Sequence, residues 1–305
     1  MQVIAMDLGG SKLTAGVVDM TGCQRERVTV NTCLAGRDRL LEQISGLATD
    51  LRERHPEVAG LGLGTPGFVD SVNGRILECT NLPGWNGLDL ADRLADGLGM
   101  PVVVENDANL AALGEAWLGA GQGWNSFLLI TLGTGVGGAW YQQRAGVHSG
   151  AHYRAGELGH AILYPRGRIC ACGQRGCVEQ YLSGTAIQQT YWRRTGVPLE
   201  ARAVFQRAEE GEGAAKALIL RYLSDLAILI SSLQNSFDPD LFVLGGGVTD
   251  SLLAWWDVLE EEVRKSSATS GVIQLRAAQL GNDAGMLGAA RLALSRLGGE
   301  TACER

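Results

Sequence analysis

The sequence predicts an α/β protein of two related domains facing each other across a cleft, and three observations carry that reading. Two segments about 124 positions apart, Val3 to Asp19 and Phe127 to Tyr141, repeat one pattern of strand, glycine turn and strand. Between and after them, strand-like runs alternate with helix-like ones, as in α/β folds. The length, 305 residues, is that of about two ordinary domains.

The elements follow in order. The first strand ends at Asp7, turns through Leu8-Gly9-Gly10-Ser11-Lys12, and continues into a second strand through Val17 and Val18. A helical stretch spans about Asp38 to Arg54. Then come a short strand at Leu61–Leu63, a helix over Leu88–Leu98, a buried strand at Val102–Glu105 and a helix over Asn109–Leu118. The second repeat has a strand ending at Thr131, the turn Gly133-Thr134-Gly135-Val136-Gly137-Gly138, and Ala139-Trp140-Tyr141. After Cys177 the chain reads mostly helical as far as the strand Leu241–Leu244, which Gly245-Gly246-Gly247 closes. The apolar stretch Ala217–Leu233 is interrupted by Arg221 and Asp225, which suits a buried helix better than a membrane span. Beyond Gly298 the tail is expected to fray.

Composition narrows the function. A chain that is 46% hydrophobic has ample material for a core, and its net charge is −7. An acidic chain without a Lys/Arg cluster repels phosphate backbones, so nucleic acid is not an expected partner. ATP remains possible, because local loops and Mg²⁺ bind phosphate on acidic proteins. The start, Met-Gln-Val-Ile-Ala-Met-Asp, reads as a strand without a leader, and seven cysteines do not suggest a disulfide framework. The expected location is the cytoplasm, with no membrane partner. Glycine stands out at 43 residues, about twice its ordinary ~7% share, and concentrates after apolar runs.

Three of those glycine runs could meet a nucleotide: Asp7 with Gly9, Gly10, Ser11 and Lys12; Thr131 with Gly133, Thr134 and Gly135; and Gly245, Gly246 and Gly247. Exposed backbone N–H groups in such turns form a concave anion site, and the Ser11 and Thr134 hydroxyls can add donors. Each run could equally be a plain hairpin turn. Gly133, Gly135 and Gly138 satisfy the dinucleotide pattern, but so do Gly62, Gly64 and Gly67, and neither opens a helix.

Asp107 closes one apolar strand and opens a helix. Asn106 or Asp107 could be nothing more than a helix N-cap, a position both types favour. Strand carboxyl ends are also where open α/β sheets bind ligands, and the two roles are compatible. A carboxylate there can take the proton of a sugar hydroxyl late in phosphoryl transfer. Asp7 is the candidate for holding Mg²⁺.

Cys170, Cys172 and Cys177 lie within eight residues, and His160 is ten residues upstream. One histidine and three thiolates complete a closed tetrahedral set, so a structural zinc is expected. Such a knuckle would fix Glu157, His160 and Glu179. Glu179 could otherwise be an ordinary surface charge.

Together these residues resemble the ROK family of bacterial glucokinases, N-acetylhexosamine kinases, fructokinases and sugar-responsive repressors. The resemblance runs through Asp7–Lys12, Gly64–Gly67, Asn81–Trp85, Glu105–Asn109, Leu132–Gly138, Gly156–His160, the cysteines, Gly245–Gly247 and Gly281–Gly285. It implies an actin/hexokinase-like (ribonuclease H-like) two-domain fold. The first domain would span 1–118, with a helix near 285–297 packing back on it. The second would span 119–305 and carry the zinc knuckle. It also implies Asp107 as catalytic base, with Gly67, Asn81, Asn106, Glu157, His160 and Glu179 on the sugar, and a homodimer or homotetramer. Ser11 stands where most members have Thr, which keeps the hydroxyl. The repressors carry a DNA-binding segment before the first strand, which here begins at residue 2. The His160–Cys170 spacing resembles the glucokinase branch, which makes glucose the expected acceptor. N-acetylglucosamine, N-acetylmannosamine and fructose are the alternatives, polyphosphate is an alternative donor, and sugar sensing without catalysis is the competing class. Phe68 is expected to border the sugar and influence whether an N-acetyl group fits.

Overall fold

Alternation and apolar content make residues 2–19 a hairpin buried on both faces. In a computed structural model describing residues 1–79, 81–82, 84–267 and 273–298, β1 (Gln2–Leu8) pairs antiparallel with β2 (Lys12–Asp19), Leu8 opposite Leu13. Val3, Ile4, Met6 and Leu8 are all fully buried. The expected fraying beyond Gly298 lies outside the described residues.

The chain divides into two units. The first comprises Met1–Gly123, Tyr141–Ala155 and the chain from Asn282. The second comprises Trp124–Trp140 and Gly156–Gly281.

In the first unit, β3 (Gln24–Asn31) joins β2 at the sheet edge, and β4 (Val58–Thr65) and β7 (Val102–Asn106) extend the other side. The strand order is β3-β2-β1-β4-β7. The β1, β4 and β7 strands are parallel, with Asp7 opposite Gly64, and Thr65 opposite Asn106. Their carboxyl ends therefore lie side by side. Two helices, α1 (Arg37–Arg54) and α2 (Leu90–Leu98), bury leucines such as Leu40, Leu51, Leu90 and Leu94 in this unit's core. A small hairpin, β5 (Phe68–Asp70) with β6 (Arg75–Glu78), follows β4. The helix α3 (Asp107–Leu118) leaves β7 directly. It packs against α10 (Ala284–Leu297), whose Gly- and Ala-rich face allows close approach to α3, β1 and β4. Within Tyr141–Ala155, β10 (Gly146–Val147) pairs with Gln142 and Tyr141.

The second unit repeats the plan. Its sheet runs β9 (Val136–Gln142), β8 (Ser126–Leu132), β11 (Leu241–Gly245), β12 (Leu275–Ala277), with β8 and β11 parallel and Thr131 opposite Gly245. Leu128, Ile130, Phe242 and Leu244 face a core filled by α7 (Gly213–Phe237), whose Ile219, Leu223, Leu226 and Ile230 are fully buried. Short α4 (Glu179–Leu182) leads into α5 (Gly184–Thr195), α6 (Ala201–Glu209) precedes α7, and α8 (Thr249–Leu252) and α9 (Trp256–Ser266) follow β11. Among the described residues, no helix is long and apolar enough to cross a membrane.

The elements read from sequence form with shifted ends. The Leu61–Leu63 strand extends to Val58–Thr65, and the Asn109 helix begins at Asp107, because Asn106 caps it. The charged strand β3, with Arg25 and Arg27 outward, has no apolar run to announce it, as befits an edge strand.

Candidate active site

In the first unit the candidate residues gather at the carboxyl ends of β1, β4 and β7. Asn106 ends β7 as the N-cap of α3, its side-chain oxygen accepting from the N–H groups of Ala108 (2.9 Å) and Asn109 (3.1 Å). Its amide nitrogen donates to the Gly67 carbonyl at 3.0 Å. Gly67 has φ +100°, and a Cβ there would collide with the Glu78 carbonyl, so the turn requires glycine. Of the two cap candidates, Asn106 is therefore the cap. Asp107 is the first helical residue, its Oδ1 accepting from Ala108 N–H at 2.8 Å. Buried Glu105 braces both neighbours, accepting from the Asn106 N–H (2.7 Å) and the Asn109 side chain (3.0 Å), and burial raises its carboxyl above the usual range.

Asp7, next to last in β1, has its carboxylate against Gly285 at the start of α10. Burial, reinforced by the negative charge of Asp107, raises its pKa from 3.8 to about 7. Two carboxylates thus sense each other from the ends of β1 and β7, the strands on either side of β4, an arrangement that favours a proton or a cation there. The folded state holds this proton more tightly than the unfolded chain, so the benefit is complete below about pH 4 and is lost as pH rises through about 7. In magnesium-free buffer, Asp7→Asn should therefore gain unfolding free energy relative to wild type between pH 5 and pH 8. The gain over that window is about 3 kcal/mol at most, read by urea titration. Parallel wild-type and variant curves would contradict it.

The Gly9–Lys12 turn is held from outside itself. The Thr32 hydroxyl donates to the Gly9 carbonyl (2.8 Å), and the Thr32 N–H donates to the Ser11 carbonyl (3.0 Å). Gly10, Ser11 and Lys12 are exposed. Asn81, also exposed, lies in the loop after β6. Its backbone N–H and that of Leu82 donate to the Cys79 thiol, whose pKa is raised by burial and by the charge of Asp107. The Phe68 ring lies 4.5 Å beneath the Arg154 guanidinium, which also pairs with Glu78 at 2.9 Å. Tyr153, at φ +55°, hydrogen-bonds Asp70.

In the second unit, Val136 is a hub. Its N–H donates to Glu179 Oε2 at 3.1 Å, and a Cβ at Gly135 would collide with that same oxygen. The backbone of Gly159 lies against the Val136 carbonyl. The Gly133–Gly138 turn, the Gly156–His160 segment and Glu179 thus meet at one residue. The Thr131 hydroxyl accepts from Gly137 N–H (3.2 Å), and the Thr134 carbonyl accepts from the Thr185 hydroxyl (2.8 Å). Beside this turn, Gly246 has φ +85° and packs on the Leu132 backbone, and the Thr249 hydroxyl ties Gly245 at 2.8 Å.

Ligand atoms of His160, Cys170, Cys172 and Cys177 all lie within 4.8 Å of one another. Cys170 Sγ is 3.8 Å from His160 Nδ1, and Cys172 Sγ is 3.6 Å from Cys177 Sγ. These separations match the roughly 3.8 Å edge of a tetrahedron with metal–sulfur bonds of about 2.3 Å. Without a cation, burial and the neighbouring sulfurs push the Cys177 thiol up to about 12. The donor set and its spacing fit zinc. His160 Nε2, on the ring's other side, is 4.0 Å from Glu157 Oε2, so the imidazole stands between the cluster and that carboxylate without a direct hydrogen bond to it.

Sequence reading did not single out Thr32, Tyr153, Thr185 or the hub role of Val136. Each acts through a partner distant in sequence or through backbone atoms that carry no residue signature.

The duplicated sheet, with glycine turns and carboxylates at parallel strand ends, defines the two-domain actin/hexokinase-like class. Within that class the chain belongs to the ROK family, whose sequence profile matches residues 3–296. The glucokinase of Thermotoga maritima is 32% identical, covering 98% of this chain and 99% of its own length. The N-acetyl-D-glucosamine kinase of Citrobacter koseri is 32% identical, covering 95% and 98%. The structure of a ROK family glucokinase from Streptomyces griseus, in complex with glucose and AMPPNP, has a TM-score of 0.80 at 33% identity, covering 96% of this chain and 99% of that one.

Proposed function

We propose that this chain is an ATP-dependent hexose kinase that transfers the γ-phosphoryl group of ATP to the 6-hydroxyl of D-glucose, with Asp107 as general base. The observation that carries the reading is Asp107 at the β7–α3 junction, its backbone fixed by the Asn106 cap and its carboxylate sensed by Asp7. A sugar hydroxyl is too weak an acid to ionise at neutral pH, and in a loose transition state it loses its proton late to a positioned carboxylate. Asp107 supplies that acceptor. Gly67, Asn81, Asn106, Glu157, His160 and Glu179 are the residues proposed to orient the sugar hydroxyls. The backbone N–H groups of Gly9–Lys12, Gly133–Gly135 and Gly245–Gly247, with the Ser11, Thr131 and Thr134 hydroxyls, are proposed to hold the nucleotide. Asp7 is proposed to hold Mg²⁺, directly or through water, and that cation would neutralise charge on the phosphates. A structural zinc on His160, Cys170, Cys172 and Cys177 would fix Glu157 and Glu179. The proposed setting is the cytoplasm, as a homodimer or homotetramer.

A second reading, phosphorylation of N-acetylglucosamine or N-acetylmannosamine, is favoured by the similarity to the Citrobacter koseri enzyme. A panel of glucose, the two N-acetylhexosamines and fructose, assayed for ADP release, separates the two. Glucose should give the highest kcat/KM. A higher value for an N-acetylhexosamine would replace glucose as the substrate. ADP release from none of them, with a sugar-dependent rise in Tm, would make the chain a sensor.

A further inference from the structure

We propose that the second unit carries a separate site for a small organic phosphate, in a cavity between α5 and α7 beside α4. The cavity measures about 450 Å³. That lies within the range of small-molecule pockets and is far larger than a bare anion needs. Although the chain is acidic at −7, the cavity gathers three guanidinium groups, from Arg168, Arg194 and Arg221, against one carboxylate, Asp225. Asp225 is paired with Arg221 at 3.0 Å and hydrogen-bonded to the Tyr164 hydroxyl, so it offsets Arg221 and leaves the charges of Arg168 and Arg194 in excess. Arg168 is held over the Tyr181 ring at 4.7 Å and donates to the Gln180 carbonyl at 2.7 Å. Among the described residues, Arg194 has no carboxylate partner, and it is exposed at the rim. Planar guanidinium groups on residues that line one cavity can match the oxygens of a phosphate. Ile187 and Leu218 give the remainder of the cavity an apolar wall for the organic part.

The site is wired to α4. Arg168 N–H donates to the Tyr181 hydroxyl at 2.9 Å, and Arg168 also grips Gln180. Both partners follow Glu179 in the same short helix. A phosphate that draws Arg168 inward therefore pulls on the element carrying Glu179. That consequence rests on the sugar-kinase reading, whereas the binding does not.

The test is calorimetric titration of glycerol 3-phosphate and of inorganic phosphate into wild type, Arg194→Glu and Arg202→Glu, the last a charge-matched control on α6. Glycerol 3-phosphate should bind wild type and Arg202→Glu alike, about tenfold more weakly to Arg194→Glu, and more tightly than inorganic phosphate. Ligand-free glucose phosphorylation should be the same in all three proteins. Equal affinity in wild type and Arg194→Glu would place phosphate at the glycine turns and overturn the proposal. Equal loss in both variants would reduce it to net charge and overturn it too. Inorganic phosphate binding as tightly as glycerol 3-phosphate would overturn the organic part. Binding is read without turnover, so absent kinase activity would count against the proposed function and leave this test intact.

Discussion

Asp107→Asn should lower kcat for sugar phosphorylation by a factor on the order of 10²–10⁴, with the fold intact. The substitution preserves shape. Asn offers an oxygen where Asp107 Oδ1 accepts from the Ala108 N–H at 2.8 Å, and the cap of α3 resides on Asn106. Losing a negative charge from the first helical turn costs about 0.3–1 kcal/mol. Relief of the repulsion that raises Asp7 offsets part of that cost. The two effects oppose, so Tm should move by only a few degrees. KM for the sugar should change little, because the lost interaction is made with a proton that departs in the transition state. A variant that keeps near-wild-type kcat would remove Asp107 from the mechanism. A collapsed Tm would make the residue structural.

Cys177→Ser should abolish stoichiometric zinc and destabilise the second unit by about 3 kcal/mol or more. Cys177 is fully buried, its sulfur is 3.6 Å from Cys172, and its chain bridges to Ile162 in antiparallel fashion. Two residues on, Glu179 is held to the Val136 N–H at 3.1 Å. Loosening the knuckle therefore frees Glu179 on one side and the His160 ring, 4.0 Å from Glu157, on the other. The expected signature is a raised sugar KM together with a lowered urea midpoint. Metal analysis of the purified protein should give about one zinc per wild-type chain and well under that in the variant. Wild-type protein free of zinc, or a variant that retains it, would contradict the assignment.

Local chemistry explains which features could be read early. The Asp7–Lys12 turn, the Glu105–Asn109 junction and the Cys170–Cys177 run each place their decisive residues within a few positions, so spacing alone reveals them. The two-hairpin repeat was visible for the same reason, and the paired sheets have the same hairpin-plus-parallel-strand order. Long-range structure was hidden. Thr32 secures the first turn from 23 residues beyond Gly9. Asp70 meets Tyr153 only because the Tyr141–Ala155 segment belongs to the first unit, a return that no composition shift marks. Between Asn106 and Asp107, sequence could not choose the cap, because both side chains suit that position. Only the geometry gives the cap to Asn106 and leaves Asp107 as the next residue. Val136 escaped notice because its contribution is a backbone N–H, which any residue but proline supplies.

Phosphoryl transfer to the 6-hydroxyl of glucose is read directly by phosphorus NMR of the purified protein with ATP, Mg²⁺ and glucose. Glucose 6-phosphate and ADP should appear in equal amounts with wild type, and neither should accumulate on the same timescale with Asp107→Asn. Inorganic phosphate released in place of a sugar phosphate, or equal product from the variant, would contradict the account.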